Sequence, residues 1–212
     1  MANVSAGDLT FSDARIAADV RHAESVFSVY LSGLEEAYLA RCKVRASRGW
    51  PVLAFLGHGR AGKDSAAEMF AKVTGLLYNG SLSQTICPLL SLGLGIDVKK
   101  AFAERHMYRN YWRQWCDEFR RCDPTRLMRI HLATSDIVVG IRARLELFEG
   151  IAKDVIQIPT WVHNVRTGVD PTLSYDAGAI VALPRFEWLD NNKDLVDLQE
   201  AVQHLAMKLG LA

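Results

Sequence analysis

Apolar residues at helical spacing dominate the start of the chain. Ile16, Val20, Phe27, Leu31, Leu34, Tyr38 and Leu39 recur along one face between Asp13 and about Arg48, and Ser12 or Asp13 stands where a cap belongs. The pattern predicts a long amphipathic helix, bent at Gly33, behind a loose tail over residues 1–11. Such a helix serves packing or dimerisation more often than catalysis, so a homodimer through it is one expectation.

The pattern then changes to short apolar runs. Pro51-Val52-Leu53-Ala54-Phe55-Leu56 reads as a buried strand, and a helical pattern follows over about 63–74. Leu76-Leu77-Tyr78, Asp136-Ile137-Val138-Val139-Gly140-Ile141, Val155-Ile156-Gln157-Ile158 and Phe186-Glu187-Trp188-Leu189 give four more candidate strands. Helical stretches are expected within 83–96, over 98–121, from Asp123-Pro124-Thr125 to about Ala133, over 142–150 and from Asp194 to Leu209. Residues 159–178 read as loop. Alternating strands and helices predict an α/β fold with a doubly wound, mostly parallel five-stranded sheet over 50–212 and an N-terminal helical extension over 1–49. Ligands in such sheets gather at the carboxyl ends of the strands.

Composition narrows this little. The chain has 212 residues, 50% of them hydrophobic and 23% charged, with a formal net charge of +1. That balance supplies no strong general pull toward nucleic acid or acidic membranes. The sequence has no long uninterrupted apolar run and no signal-peptide pattern, which leads to the expectation of a cytoplasmic protein without membrane partners. Cys42, Cys87, Cys116 and Cys122 form no CxxC pair and show no zinc spacing.

The chemistry concentrates after the first strand, where Gly57 to Ser65 read GHGRAGKDS. Gly57, four intervening residues and then Gly62-Lys63 is the spacing of a phosphate-binding P-loop between strand and helix. Gly57, Gly59 and Gly62 free the backbone to approach a phosphate. The amides of His58, Arg60, Ala61 and their neighbours can point inward as an anion nest at a helix N-terminus. Lys63 adds a mobile positive charge for the terminal phosphates. ATP with magnesium is the implied ligand. Asp64 stands where a hydroxyl residue usually binds the metal, and Ser65 follows it, so both are candidate magnesium ligands.

Three further groups stand near expected strand ends. Arg142 lies just past the strand 136–141, with Glu146 one helical turn on, and is a candidate for stabilising the moving phosphoryl group. Arg105, Arg109, Trp112 and Arg113 share one helical face and are candidates for holding an acceptor by bidentate contacts and stacking. The loop Trp161–Asp176 carries His163, Arg166 and Asp170-Pro171-Thr172; it suits a lid, with Arg166 the candidate phosphate contact. Each group also has a plain alternative as a solvated or core face.

The chain resembles the nucleoside-monophosphate-kinase-like P-loop kinases of tailed bacteriophages. GHGRAGKDS looks like the G-x-x-x-x-G-K-D-[ST] loop of phage deoxynucleoside monophosphate kinases, which also carry a strand ending D-V-R-F-x-N-E. Here that segment reads Gly140-Ile141-Arg142-Ala143-Arg144-Leu145-Glu146, with Arg and Glu in register but Gly140 for the Asp and Leu145 for the Asn. The run SDIVVGIRARLE, flanked by Asp123-Pro124-Thr125 and Asp170-Pro171-Thr172 and followed by Asp190-Asn191-Asn192, also resembles phage kinases that phosphorylate 5-hydroxymethyluracil bases in DNA. The resemblance covers roughly Val52 to Leu209 and implies a P-loop NTPase fold, ATP and magnesium as cofactors, and a deoxynucleotide or hydroxymethyluracil-containing DNA as acceptor. With Gly140 in place of the acid, Asp64 or Asp136 is left to supply a carboxylate near magnesium, and Asp117, Glu118 or Asp136 to serve as a base. A nucleotide-binding switch or assembly protein without catalysis is the alternative from another class.

Overall fold

Leu53–Leu56 (β1) lies between two parallel neighbours, Ile137–Val139 (β2) and Ile158–His163 (β3), and Glu187–Asp190 (β4) pairs parallel on the far side of β3. A computed structural model provides this architecture and describes residues 11–212. All but the last residue of the expected N-terminal tail lies outside the described residues. Among the described residues the sheet has four strands in the order β2-β1-β3-β4, not the expected five. Leu76–Tyr78 does not join the ladder. Its Leu77 amide donates to the Asp136 carboxylate at 2.9 Å, and its Leu77 carbonyl accepts from the Asp136 amide at 2.7 Å. Both groups that would extend a strand are thus taken by one residue.

Helices cover both faces. The alternation along β1 sends Leu53 and Phe55 to one side, where they meet Lys63–Thr74 (α3) and Leu195–Lys208 (α10) around Phe70, Leu198 and Val202. Ala54 and Leu56 face the other side, with Val138 and Trp161. There the cover comes from Leu82–Leu94 (α4), Arg109–Phe119 (α6), Arg126–Leu132 (α7) and Arg144–Ala152 (α8), through Leu90, Trp115, Met128 and Leu147. The short Val98–Ala103 (α5) and Ala177–Val181 (α9) complete that side.

The N-terminal extension is two helices, Asp13–Val26 (α1) and Ser28–Arg48 (α2), and the break falls at Phe27, not at Gly33. The two helices take different neighbours. α1 packs on α4 and α6 and buries Ile16, Val20 and Ala23, whereas α2 packs on α7. The expected helix over 98–121 is likewise divided, into α5 and α6, by turns at 104–108.

Asp136 anchors α2 to the sheet. Its carboxylate is fully buried and accepts from Arg41 Nε at 3.0 Å and Arg45 Nε at 2.8 Å. Arg45, itself buried, also donates to the carbonyls of Leu132 and Ser135 at 2.5 Å each. Burial raises the Asp136 pKa, but the hydrogen bonds from Arg41, the Leu77 amide and Arg45 outweigh it and hold the carboxyl below its ordinary value. This corrects the catalytic expectation for Asp136. It precedes β2, at the opposite sheet edge from the glycine loop, and every lone pair it has faces a structural donor.

The depressed pKa sets a sign. The stabilisation is present above the unfolded carboxylate pKa and is lost as pH falls through the lower folded value. Asp136→Ala strands the buried Arg45 charge and is expected to cost about 3–5 kcal/mol at pH 7. Urea unfolding of both proteins checks this. The difference between them should shrink below about pH 4, where the unfolded-state carboxyl becomes protonated.

Candidate functional site

Parallel pairing brings the ends of β1, β2 and β3 to one edge. Gly57 leaves β1 there with φ 135°, and a Cβ on it would stand 2.5 Å from the Val162 carbonyl oxygen of β3. Only glycine lets the backbone pass so close. The chain curls through Arg60, also at positive φ (64°), and Gly62 (91°) into α3. Asn191, just past β4, pins the curl by donating to the Ala61 carbonyl at 2.8 Å. Among the described residues no side chain caps the start of α3, so its first amides are left for an anion.

Lys63 folds back over the loop, and its Nζ donates to the His58 carbonyl at 2.5 Å. Burial, then the Arg142 charge, depress its pKa from 10.5 to about 8, with Asp64 and Asp170 opposing. His58 points inward, with its ring edge-on to Trp161 at 5.4 Å and its Nδ1 accepting from the Asp170 amide at 3.3 Å. Arg60 is exposed. Asp64 is exposed and accepts from the Tyr78 hydroxyl at 2.8 Å, while Ser65 is half-buried beside it. Burial and the Asp64 carboxylate push the Tyr78 phenol up.

Arg142 and Glu146 do not pair with each other. Arg142 precedes α8 and binds Asp170 Oδ2 at 2.7 Å and the Thr172 hydroxyl. Asp170 Oδ1 in turn accepts from the Thr172 hydroxyl at 2.6 Å and its amide at 3.0 Å. The Asp170 carboxylate rests against the loop, 3.1 Å from where a Cβ on Gly59 would stand. Although burial raises its pKa, the bonds from Thr172 and Arg142 hold it far below the usual carboxylate range. Glu146 lies fully buried against Arg120, with Oε1 unpartnered among the described residues. Burial pushes its carboxyl up to about 7 against the pull of Arg120.

A cavity of about 320 Å³ opens beside this group. Arg105, Arg109 and Arg113 line it together with Arg120, Arg142 and Trp112. Arg105 lies in the turn before α6, not on the helix, and still reaches the same cavity. Trp112 is buried, and its indole Nε1 has no hydrogen-bond partner among the described residues. Arg166 goes elsewhere: its guanidinium reaches the Lys193 carbonyl at 3.5 Å on the β4–α10 connection.

The sequence pattern names Asp170, Thr172 and Asn191 only as parts of the lid loop and of the resemblance, with no individual role, and does not single out Arg120. A usable signal was the repeated Asp-Pro-Thr. Asp123-Pro124-Thr125 folds the same way, with Asp123 Oδ1 accepting from the Thr125 amide and hydroxyl at 3.0 and 2.8 Å and Oδ2 binding Arg129 at 2.5 Å. Asp-Pro-Thr is thus a self-closing turn that leaves one carboxylate oxygen for a cation. The partner of that oxygen depends on the fold.

No group of three or more His, Cys, Asp or Glu side chains is placed to hold a metal among the described residues, and no described helix is long and apolar enough to cross a membrane. No protein-family profile matches the chain, and neither a curated protein nor a solved structure matches it.

Holding Lys63 half-buried has a cost with a definite sign. The unfolded chain binds the Lys63 proton more tightly between pH 8 and 10.5, so the folded state gains stability as pH rises across that window. Lys63→Met is therefore expected to stabilise the fold at pH 7 by about 1 kcal/mol after solvent screening, about 2–4 °C in Tm. The gain should fade above about pH 8 and be gone near 10.5. Melting curves across pH read it directly.

Proposed function

We propose that this chain is an ATP- and magnesium-dependent phosphotransferase that moves a γ-phosphoryl group to a deoxynucleotide. One observation carries the reading: Arg142, one of five arginines lining the cavity, binds the Asp170 carboxylate that rests against the glycine loop, so cavity and loop adjoin. A strand–loop–helix turn with three glycines and a lysine suits donor phosphates. An arginine-rich cavity at the small end of ligand-site volumes suits a compact anionic acceptor. Phosphoryl transfer needs the two held in line and their charge neutralised, and little else from the protein.

Lys63 and the loop amides bind the donor phosphates in this scheme. Arg142 stabilises the group in transit. Arg105, Arg109 and Arg113 hold the acceptor phosphate, and Trp112 gives the base a surface to lie on. Magnesium neutralises charge on the nucleotide's phosphates when bound with it. The donor set fits a hard cation, because Asp64 and Ser65 at the start of α3 offer a carboxylate and a hydroxyl and no sulfur or nitrogen. A monophosphate acceptor is already a nucleophile and requires no base.

Asp117 in the same cavity favours a second acceptor, a hydroxymethyl group on a base in DNA. That hydroxyl has to lose a proton, and a carboxylate within reach can take it. Both acceptors belong to phage deoxynucleotide metabolism or DNA modification, the setting that the sequence resemblance implies.

Transfer of labelled phosphate from ATP, to a panel of deoxynucleoside monophosphates and to hydroxymethyluracil-containing DNA, tests the proposal. Lys63→Ala is expected to abolish transfer with the fold retained. Nucleotide binding without transfer to any acceptor would move the reading to a switch or assembly protein. Arg109→Ala is expected to lower acceptor use about ten- to a hundredfold with ATP affinity unchanged, the size of a lost charged hydrogen bond of about 1.5–3 kcal/mol. A steep salt dependence of that loss would select the DNA acceptor, because strand contacts release counterions.

A further inference from the structure

The acidic residues around the glycine loop differ sharply in placement. Asp64 is exposed and engaged by Tyr78. Asp136 is buried at the far edge of the sheet. Asp170 lies against the loop itself. Its side chain is 9% exposed, its amide donates to His58 within the loop, and its Oδ2 lies beside Gly59.

Asp170 is also held for the purpose. Oδ1 is closed by the two donors of Thr172, which fixes the plane of the carboxylate. Oδ2 is bound by Arg142, whose own side chain is 47% exposed. The exposed arginine is the mobile partner and the enclosed carboxylate is the fixed one. An incoming phosphate competes for Arg142, and a guanidinium that swings to phosphate leaves an enclosed carboxylate oxygen without a cation. An unpaired charge in that position is costly. A divalent cation arriving on the same phosphates restores the balance, and its preference for anionic oxygen fits Oδ2.

We propose that Asp170 is the carboxylate that serves the divalent cation of the bound nucleotide, exchanging Arg142 for the metal as the phosphates enter. This rests on the donor-phosphate reading of the Gly57–Ser65 loop. It moves the principal metal carboxylate from the start of α3 to the loop after β3. Asp123 supplies an internal control. It makes the same turn and the same arginine bond, but its arginine is Arg129 on α7 and its surroundings hold no glycine loop.

ATP affinity is measured by calorimetry with magnesium and with EDTA, so that no turnover is needed. The unaltered protein is expected to bind ATP more tightly with magnesium. In Asp170→Asn the magnesium advantage should fall by about tenfold, or about 1.4 kcal/mol, with EDTA-state affinity equal or higher because Arg142 is freed. Asp123→Asn should keep the full advantage. Asp170→Cys should recover it with cadmium and not with magnesium, which guards against a variant that merely folds poorly. Retention of the magnesium advantage in Asp170→Asn, or a loss of equal size in Asp123→Asn, overturns the proposal. If the unaltered protein binds no ATP under either condition, the donor-phosphate reading fails first and Asp170 falls with it. If it binds ATP with a magnesium advantage that Asp64→Asn alone removes, only the assignment to Asp170 is wrong.

Discussion

Parallel pairing of β1 with both of its neighbours is the constraint on which the candidate site depends. In a parallel sheet every strand leaves at the same edge, so the loop after β1, the Gly140–Arg142 segment after β2 and the Asp170 loop after β3 have to converge. The register sets the spacing as well. Phe55 pairs with Val139 and Leu56 with Trp161, so the chain exits β1 level with both partners. Gly57 is then forced to pass within contact of the Val162 carbonyl, and a side chain there would push β1 and β3 apart. The glycine follows from the sheet as much as from any ligand.

The charges divide by edge. At the amino edge, Asp136 is enclosed by Arg41, Arg45 and the Leu77 amide, so its charge is spent on fixing α2 and the 76–78 segment. At the carboxyl edge, Asp170 pairs with Arg142, and Asp117 and Glu146 pair with Arg120, while Lys63, Arg105, Arg109 and Arg113 make no salt bridge among the described residues. Like charges held near one another disfavour their own charged forms, which is part of why the Lys63 pKa is depressed toward 8. An anion relieves that repulsion on arrival. The two edges illustrate the same rule: a buried charge is stable when paired, and an under-paired cluster favours a ligand of opposite sign.

The two Asp-Pro-Thr turns show how local chemistry and tertiary placement separate. Both close on themselves through the following threonine, and both leave one oxygen for an arginine. Asp123 meets Arg129 of the helix it precedes, which is a local contact. Asp170 meets Arg142, far away in sequence, and touches the glycine loop as well. Identical tripeptides thus end in different settings because one joins α6 to α7 and the other follows β3.

What the sequence by itself determined was the content of the fold that local patterns dictate. Short apolar runs placed β1, β2 and β4 nearly where they lie, helical spacing placed α3, α4, α7 and α10, and the glycines with Lys63 marked the loop. The arginine group of 105–113 was legible because residues a turn apart share a face, even though Arg105 proved to lie outside the helix. Tertiary structure alone decided the rest. Leu76–Tyr78 has strand-like composition, but Asp136 takes its backbone groups. The helix break at Phe27 carries no glycine or proline and falls where the packing neighbours change, from α4 and α6 under α1 to α7 under α2. The Pro-Thr that follows Asp170 closes its turn, and the apolar run that follows Asp136 places it before a strand, but neither local feature names the cation that each carboxylate binds. Their partners, Arg45 and Arg142, are remote in sequence, and such pairings are set only when the chain is folded, since a short-range pattern contains no information about which distant charge will arrive.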